Sequence, residues 1–259
     1  MSSENNHPIL KVDNISFRYE KNKPLINGLT FTIGNGEFIG LLGANGSGKS
    51  TILKLAGGIL RQTGGEIRLW GKPLRSYPHK DRAKLLCYLP QLLDMNLPFR
   101  VRELVSMGLY PYDIPPALTV GEALEMVGLE KKSESYMANL SGGERRRVFI
   151  GMTLLQGAGL LLLDEPLANL DIKYQLEIQR LLMELKEDKK ISIVMALHDI
   201  NIALQFEKLM LIKDGGVLSS GSPHDVLTNT LLKEAFDADI RIRRHETGET
   251  YMSYENNHH

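Results

Sequence analysis

Cysteine, tryptophan and net charge are what this 259-residue chain has least of: one cysteine, one tryptophan, and 31 basic residues cancelled by 31 acidic ones. Cys87, inside the apolar stretch Leu85 to Leu89, has no second cysteine to pair with, so it reads as a small buried core residue in a reducing cytoplasm. A formal net charge of zero gives no general pull on DNA or anionic lipid, and no nucleic-acid partner is expected. Apolar runs long enough to cross a bilayer are missing. The first residues, Met1 to Pro8, have neither a basic start nor an apolar centre, so no secretory signal is read there. The expectation is a soluble or peripheral protein. His258 and His259 are either native or added, and no metal site is read into them.

Hydrophobic residues at 42% and charged residues at 24% are ordinary globular proportions, enough for one core with a subdomain. Gly43-Ala44-Asn45-Gly46-Ser47-Gly48-Lys49-Ser50-Thr51 fits GxxxxGK[ST] and directly follows an apolar run, Glu37 to Leu42, that reads as a buried strand. Glycines at 43, 46 and 48 let the backbone turn its N–H groups toward phosphate oxygens where a helix begins. Lys49 adds a point charge near the β- and γ-phosphates, and the Ser50 hydroxyl suits Mg²⁺. The alternative is a glycine-rich turn that happens to precede Lys-Ser.

Alternating apolar residues over Ile9 to Tyr19 and Leu29 to Ile33 predict an antiparallel pair of half-buried strands. Short strands are expected at Glu66 to Trp70 and up to Leu89. A helical period takes over from about Pro98 to Gly157. Beyond it come a strand at Leu160 to Leu163, a helix at Lys173 to Lys186, a strand at Ile191 to Leu197 and a helix at Asp199 to Phe206. Short strands in Lys208 to Gly221 and Ile240 to Tyr254 flank a helix at Pro223 to Phe236. This alternation implies a parallel sheet flanked by helices.

Asp164 and Glu165 follow the apolar strand Leu160 to Leu163, at the strand end where ligands of open parallel sheets collect. Asp164 suits Mg²⁺ held through water, and Glu165 suits an attacking water that must be oriented or deprotonated. A strand ending in a polar turn stopped by Pro166 is the plainer reading. Leu140-Ser141-Gly142-Gly143-Glu144 opens a helix, and Ser141 with Glu144 satisfies the S-x-x-E capping box. Gly142 and Gly143 cost up to about 1 kcal/mol each relative to alanine. They make sense where something, such as a phosphate, approaches the backbone closely. Arg145, Arg146 and Arg147 read as a solvated helix face rather than as an additional phosphate clamp.

Phosphate loop, Leu-Ser-Gly-Gly-Glu and Leu-Leu-Asp-Glu-Pro, in this order, resemble the ATP-binding cassette (ABC) ATPases over nearly the whole chain. The resemblance implies an α/β P-loop NTPase fold with a mostly parallel core sheet, an N-terminal antiparallel β subdomain and an inserted α-helical subdomain at about 98–157, all one domain over 1–259. ATP and Mg²⁺ are the implied cofactors. By family position Tyr19 stacks on adenine, Gly43 to Thr51 hold ATP, Gln91 is the Q-loop residue, Asp171 belongs to the D-loop and His198 is the switch histidine. Each has a bland alternative: a surface strand aromatic, a turn residue, a helix N-cap, and a cap before Asp199. Lys49, Gln91, Glu165 and His198 are the implied catalytic set, and Ser50, Gln91 and Asp164 the Mg²⁺ set. Two cassettes bind head to tail in this family, so Ser141, Gly142, Gly143 and Glu144 are expected to serve the partner's ATP, with Asp171 linking the two sites.

Gly108-Leu109-Tyr110-Pro111 is similar to the Gly-Arg-Tyr-Pro-His stretch of importers for iron siderophores, haem and cobalamin, with Leu109 in place of the arginine and Tyr112 in place of the histidine. The surrounding segment, Leu92 to Leu118 with Leu92, Leu93, Met95 and Leu97, is where family members receive a permease; core packing of the helical subdomain explains much of its apolar character equally well. The implied protein is the peripheral ATPase subunit of a metal-chelate importer at the cytoplasmic face of the inner membrane, with permease subunits and, indirectly, a solute-binding protein. The alternatives are a zinc or manganese importer, an exporter, and a soluble ATPase acting on nucleic acid or ribosomes. Relatives of the last kind commonly carry tandem cassettes, a coiled-coil insertion or a basic arm, none of which is visible.

Overall fold

The computed structural model describes residues 8–20, 23–91, 97–238, 240–244 and 250–254. Leu92, Leu93, Met95, His258 and His259 lie outside them. Two units are separable by contacts: Met1–Pro73 with Val194–His259, and Leu74–Ile193.

The first unit opens on β1 (Leu10–Glu20) and β2 (Lys23–Ile33), the antiparallel pair that the alternation predicts. Leu10, Val12, Ile15 and Phe17 all face inward, although the step from Val12 to Ile15 is three residues rather than two. Asn14, at φ 49°, takes up the extra residue, and the pairing shifts there from Val12 opposite Phe31 to Ile15 opposite Leu29. Such a bulge keeps the apolar face on one side where strict alternation would turn it outward. After β3 (Phe38–Leu42), buried along its whole length, comes α1 (Lys49–Ala56). β4 (Gly64–Leu69) then pairs antiparallel with the other edge of β1, Leu10 opposite Leu69. A Trp70-Gly71 turn with both residues at positive φ leads into the two-residue β5 (Lys72–Pro73).

Within the second unit, α2 (His79–Leu85) precedes β6 (Leu86–Leu89), a helix that the apolar pattern does not announce because none of its residues is buried. The helical stretch expected at about 98–157 contains α3 (Val101–Ser106), α4 (Val120–Met126) and α5 (Gly142–Leu155), which pack on one another. Thr119 and Glu122 close a capping box ahead of α4. β7 (Leu160–Leu163) lies parallel to β6, Leu86 opposite Leu160 and Leu89 opposite Leu163, and α6 (Ile172–Lys189) follows.

After β8 (Ser192–Leu197), buried throughout, the helix expected at Asp199 to Phe206 is reduced to the single turn α7 (Ile200–Ala203). β9 (Lys208–Lys213) runs parallel to β3, Ile39 opposite Lys208, and β10 (Gly216–Gly221) returns antiparallel to β9. The helix expected at Pro223 to Phe236 is two, α8 (Pro223–Val226) and α9 (Asn229–Phe236). Thr228 breaks it, because its side chain accepts from Leu231 N and starts a new N-terminus. β11 (Ile240–Arg244) and β12 (Thr250–Tyr254) form a closing hairpin.

Candidate functional site

In the first unit the phosphate-loop sequence joins β3 to α1. Gly48, at φ 106°, is the N-cap of α1, and Gly46 is at φ 80° with open space where a Cβ would stand. These conformations are nearly closed to other residues. Gly48, having no side chain, cannot cap α1 as a serine or aspartate would. Lys49 is only 4% exposed, and its Nζ donates to the carbonyls of Gly43 at 2.8 Å and Ala44 at 3.1 Å. Ser47 Oγ is buried without a hydrogen-bond partner. A donor-lined turn holding an ammonium and an unpaired hydroxyl suits a polyphosphate.

Tyr19 lies near the end of β1 with its ring exposed and set edge-on against Phe17. Its hydroxyl is 3.2 Å from Thr51 Oγ1, which pins the ring to the first turn of α1. The sequence reading missed the support beneath the loop. Gly215 N, in the β9–β10 turn, donates to Ser47 O at 2.8 Å. The Asp214-Gly215 dipeptide signals a hairpin turn, but nothing local tells where that turn rests. His198 is exposed at the end of β8, and the capping is done by Asp199, whose carboxylate accepts from Asn201 N at 2.8 Å. The cap reading of His198 is therefore removed.

In the second unit the parallel pairing of β6 with β7 brings three predicted residues together. Asp164 N donates to Leu89 O at 2.9 Å, extending the ladder to the buried Asp164, whose Oδ2 accepts from Tyr88 OH at 3.0 Å. Gln91 Nε2 donates to Glu165 Oε2 at 2.7 Å, which fixes the carboxylate's direction. Glu165 itself sits at φ 46°, in the left-handed region that costs a residue with a Cβ about 1 kcal/mol or more. Asp171 occupies the N-cap position of α6, yet its side chain makes no capping bond.

Ser141 and Glu144 form the expected capping box on α5: Ser141 Oγ accepts from Glu144 N, and Glu144 Oε2 accepts from Ser141 N at 3.0 Å. Gly142 is exposed. Gly143 is buried, and a Cβ there would lie 2.5 Å from the Tyr174 ring. For Gly143 the close approach comes from within the chain itself. The three arginines are not a solvated face. Arg145 donates to Ala138 O, Arg147 pairs with Glu177, and Arg146 is 4% exposed with its guanidinium against the carbonyls of Pro90 and Gln91.

Burial pushes the Glu144 carboxyl up, but bonds from Lys132 and Ser141 outweigh it and hold the group below the usual carboxylate range. Its contribution to stability is therefore present above the ordinary carboxylate pKa and is lost as pH falls through the lowered value. Glu144→Gln is expected to cost about 1 kcal/mol near neutral pH. Urea unfolding of both proteins along a pH series checks this, since the difference should vanish in acid.

The family described as ABC transporter matches residues 26–168, more than half of the chain. The chain belongs to the ABC transporter family. The cassette is 39% identical to the petrobactin import ATP-binding protein FpuC of Bacillus anthracis over 80% of this chain and 79% of that one. Against the iron(3+)-hydroxamate import ATP-binding protein FhuC of Bacillus subtilis it is 38% identical, covering 84% of each. Against the hemin import ATP-binding protein HmuV of Bordetella avium it is 35% identical, covering 87% and 92%. Among solved structures, one described as a metal-chelate type ABC transporter in an inward-facing conformation superposes with TM-score 0.82 over 97% of this chain and 99% of that one at 24% identity, a likeness of fold. The cassette MJ0796, a dimer bound to ADP and Pi, superposes with TM-score 0.72 at 26% identity over 83% and 98%.

As a member of this family the cassette is an ATPase. The matched span holds the phosphate loop, Gln91, Leu140 to Glu144 and the Asp164-Glu165 pair; Tyr19, Asp171 and His198 fall outside it. No helix among the described residues is long and apolar enough to cross a membrane. Where the cassette departs from the importer pattern, Tyr112 turns inward and its hydroxyl donates to Gln156 O at 2.9 Å, beside a buried Gly108 whose Cβ would lie 2.4 Å from Met152 O. Met107, Tyr110 and Ile114 are exposed around it.

Proposed function

We propose that the cassette is the ATP-hydrolysing subunit of an importer for a metal chelate, an iron siderophore, haem or cobalamin. It works as a homodimer on separate permease subunits at the cytoplasmic face of the inner membrane, with a solute-binding protein delivering the chelate. The observation that carries this is the naming of three relatives for petrobactin, iron-hydroxamate and hemin import, each matched over 80% or more of this chain. The exposed Met107, Tyr110 and Ile114 fit a permease contact.

In this reading Gly43 to Thr51 hold the ATP phosphates, Lys49 neutralises their charge and Tyr19 stacks on adenine. Glu165, aimed by Gln91, takes the proton of the attacking water, and His198 is given the switch role by its family position alone. Ser141, Gly142, Gly143 and Glu144 serve the partner's nucleotide, with exposed Gly142 the position open to it, and Asp171, free of capping duty, links the two sites. Among the described residues no group of three or more His, Cys, Asp and Glu side chains could hold a metal. By family position Ser50, Gln91 and Asp164 would supply a hydroxyl, an amide and a carboxylate, donor types that suit a Mg²⁺ ion that keeps waters and takes phosphate oxygens. Bound there, it would spread the charge of the β- and γ-phosphates.

The test is uptake by cells whose only copy carries Glu165→Gln. Import of radioactive iron supplied as a siderophore or as haem, or of labelled cobalamin, should stop while zinc and manganese uptake continues. Loss of zinc or manganese uptake with all chelate uptake intact would overturn the assignment.

A further inference from the structure

We propose that Arg146 is a positioning residue for Gln91, tying the first turns of α5 to the residue whose amide holds Glu165. This rests on the roles of Gln91 and Glu165 in the reading above. Arg146 lies on the buried stripe of α5 with Phe149, Ile150 and Thr153, at the spacing of one helix face. An apolar side chain is the ordinary occupant of such a position. A guanidinium there loses its hydration, which pulls its pKa down from the usual value, and no carboxylate among the described residues pairs with it. Its Nε is buried without a partner.

What it does reach is specific. One terminal nitrogen donates to Pro90 O and the other to Gln91 O, each at 3.4 Å. The planar fork of arginine spans two consecutive carbonyls in a way that lysine cannot. Gln91 is thus gripped twice, its carbonyl by Arg146 and its side-chain amide by Glu165 at 2.7 Å. A shift of α5 at Arg146 is passed to Gln91 and from there to the carboxylate. Bonds of 3.4 Å are at the long end, so each is weak, and their joint loss is expected to cost about tenfold rather than a thousandfold.

Arg146→Met keeps the bulk and suits the apolar stripe, so the full-length chain should fold with its melting temperature nearly unchanged. In the nucleotide-free protein the Gln91 side-chain amide signals, read by NMR, should move toward those of a free glutamine; unmoved signals would overturn the proposal. With saturating ATP, Arg146→Met should lower kcat about tenfold and leave KM within about twofold, with Arg146→Lys between it and wild type. In a Gln91→Ala background the same substitution should cost nothing more. If the two losses multiply, Arg146 acts on overall stability and the proposal fails while the ATPase reading stands. If Glu165→Gln turns over ATP like the wild type, the roles given to Gln91 and Glu165 fail, and the amide signals still judge the contact itself.

Discussion

Glu165→Gln is expected to keep ATP bound and to lower its hydrolysis by about a hundredfold or more, the range that a positioned general base supplies. The substitution is nearly isosteric. Gln91 Nε2 donates to Glu165 Oε2, and a glutamine oxygen at that place accepts the same bond, so the side chain should keep its direction. The backbone demand at φ 46° is the same for both residues. What changes is the ability to take a proton from water, and the effect should therefore fall on kcat with little change in nucleotide affinity. Single-turnover hydrolysis measured beside equilibrium ATP binding separates the two. Turnover at the wild-type rate would remove Glu165 as the base and leave the phosphate loop untouched as a binding site.

Lys49→Ala should act on the opposite half of that experiment, weakening ATP binding by about a hundredfold. Charge-assisted hydrogen bonds of this kind contribute roughly 1.5–3 kcal/mol each, and one such loss plus reorganisation of the loop reaches two orders of magnitude. Reorganisation is expected because Lys49 Nζ also holds the carbonyls of Gly43 and Ala44 from inside the turn, and truncation leaves both acceptors without that donor. Calorimetric titration with ATP under conditions where the wild type does not turn over measures the loss. A melting temperature equal to that of the wild type in nucleotide-free buffer shows that the loop alone has changed. Unaltered affinity would mean that the phosphates sit elsewhere.

How much of this was legible beforehand depends on the range of the physics involved. Local periodicity announces the β1–β2 pair, the buried β3 and β7 and the capping box of Ser141 with Glu144, because each is decided within a few residues. Pairing of β6 with β7 is not local. Gln91 and Glu165 are 74 residues apart, and only the parallel register places one amide on the other's carboxylate. Arg146 was misread because three consecutive arginines look like a charged face, whereas the apolar positions Phe149 and Ile150 behind it mark the second of the three as core-facing. Charge type masked position. The broken helix at Thr228 shows the converse, a polar residue inside an apparently continuous pattern that a cap signal would have flagged. At Gly143 the sequence leaves open what approaches the backbone, since a glycine required by Tyr174 in α6 is indistinguishable in sequence from one required by a ligand.

In the proposed reading, where Tyr19 stacks on adenine, its tether to α1 bears on how the base is met. With its hydroxyl engaged by Thr51, the side chain offers a base only the face of its ring, and ring faces do not distinguish the exocyclic groups of purines. Discrimination between adenine and guanine would gain nothing from this residue and would have to come from other contacts to the base.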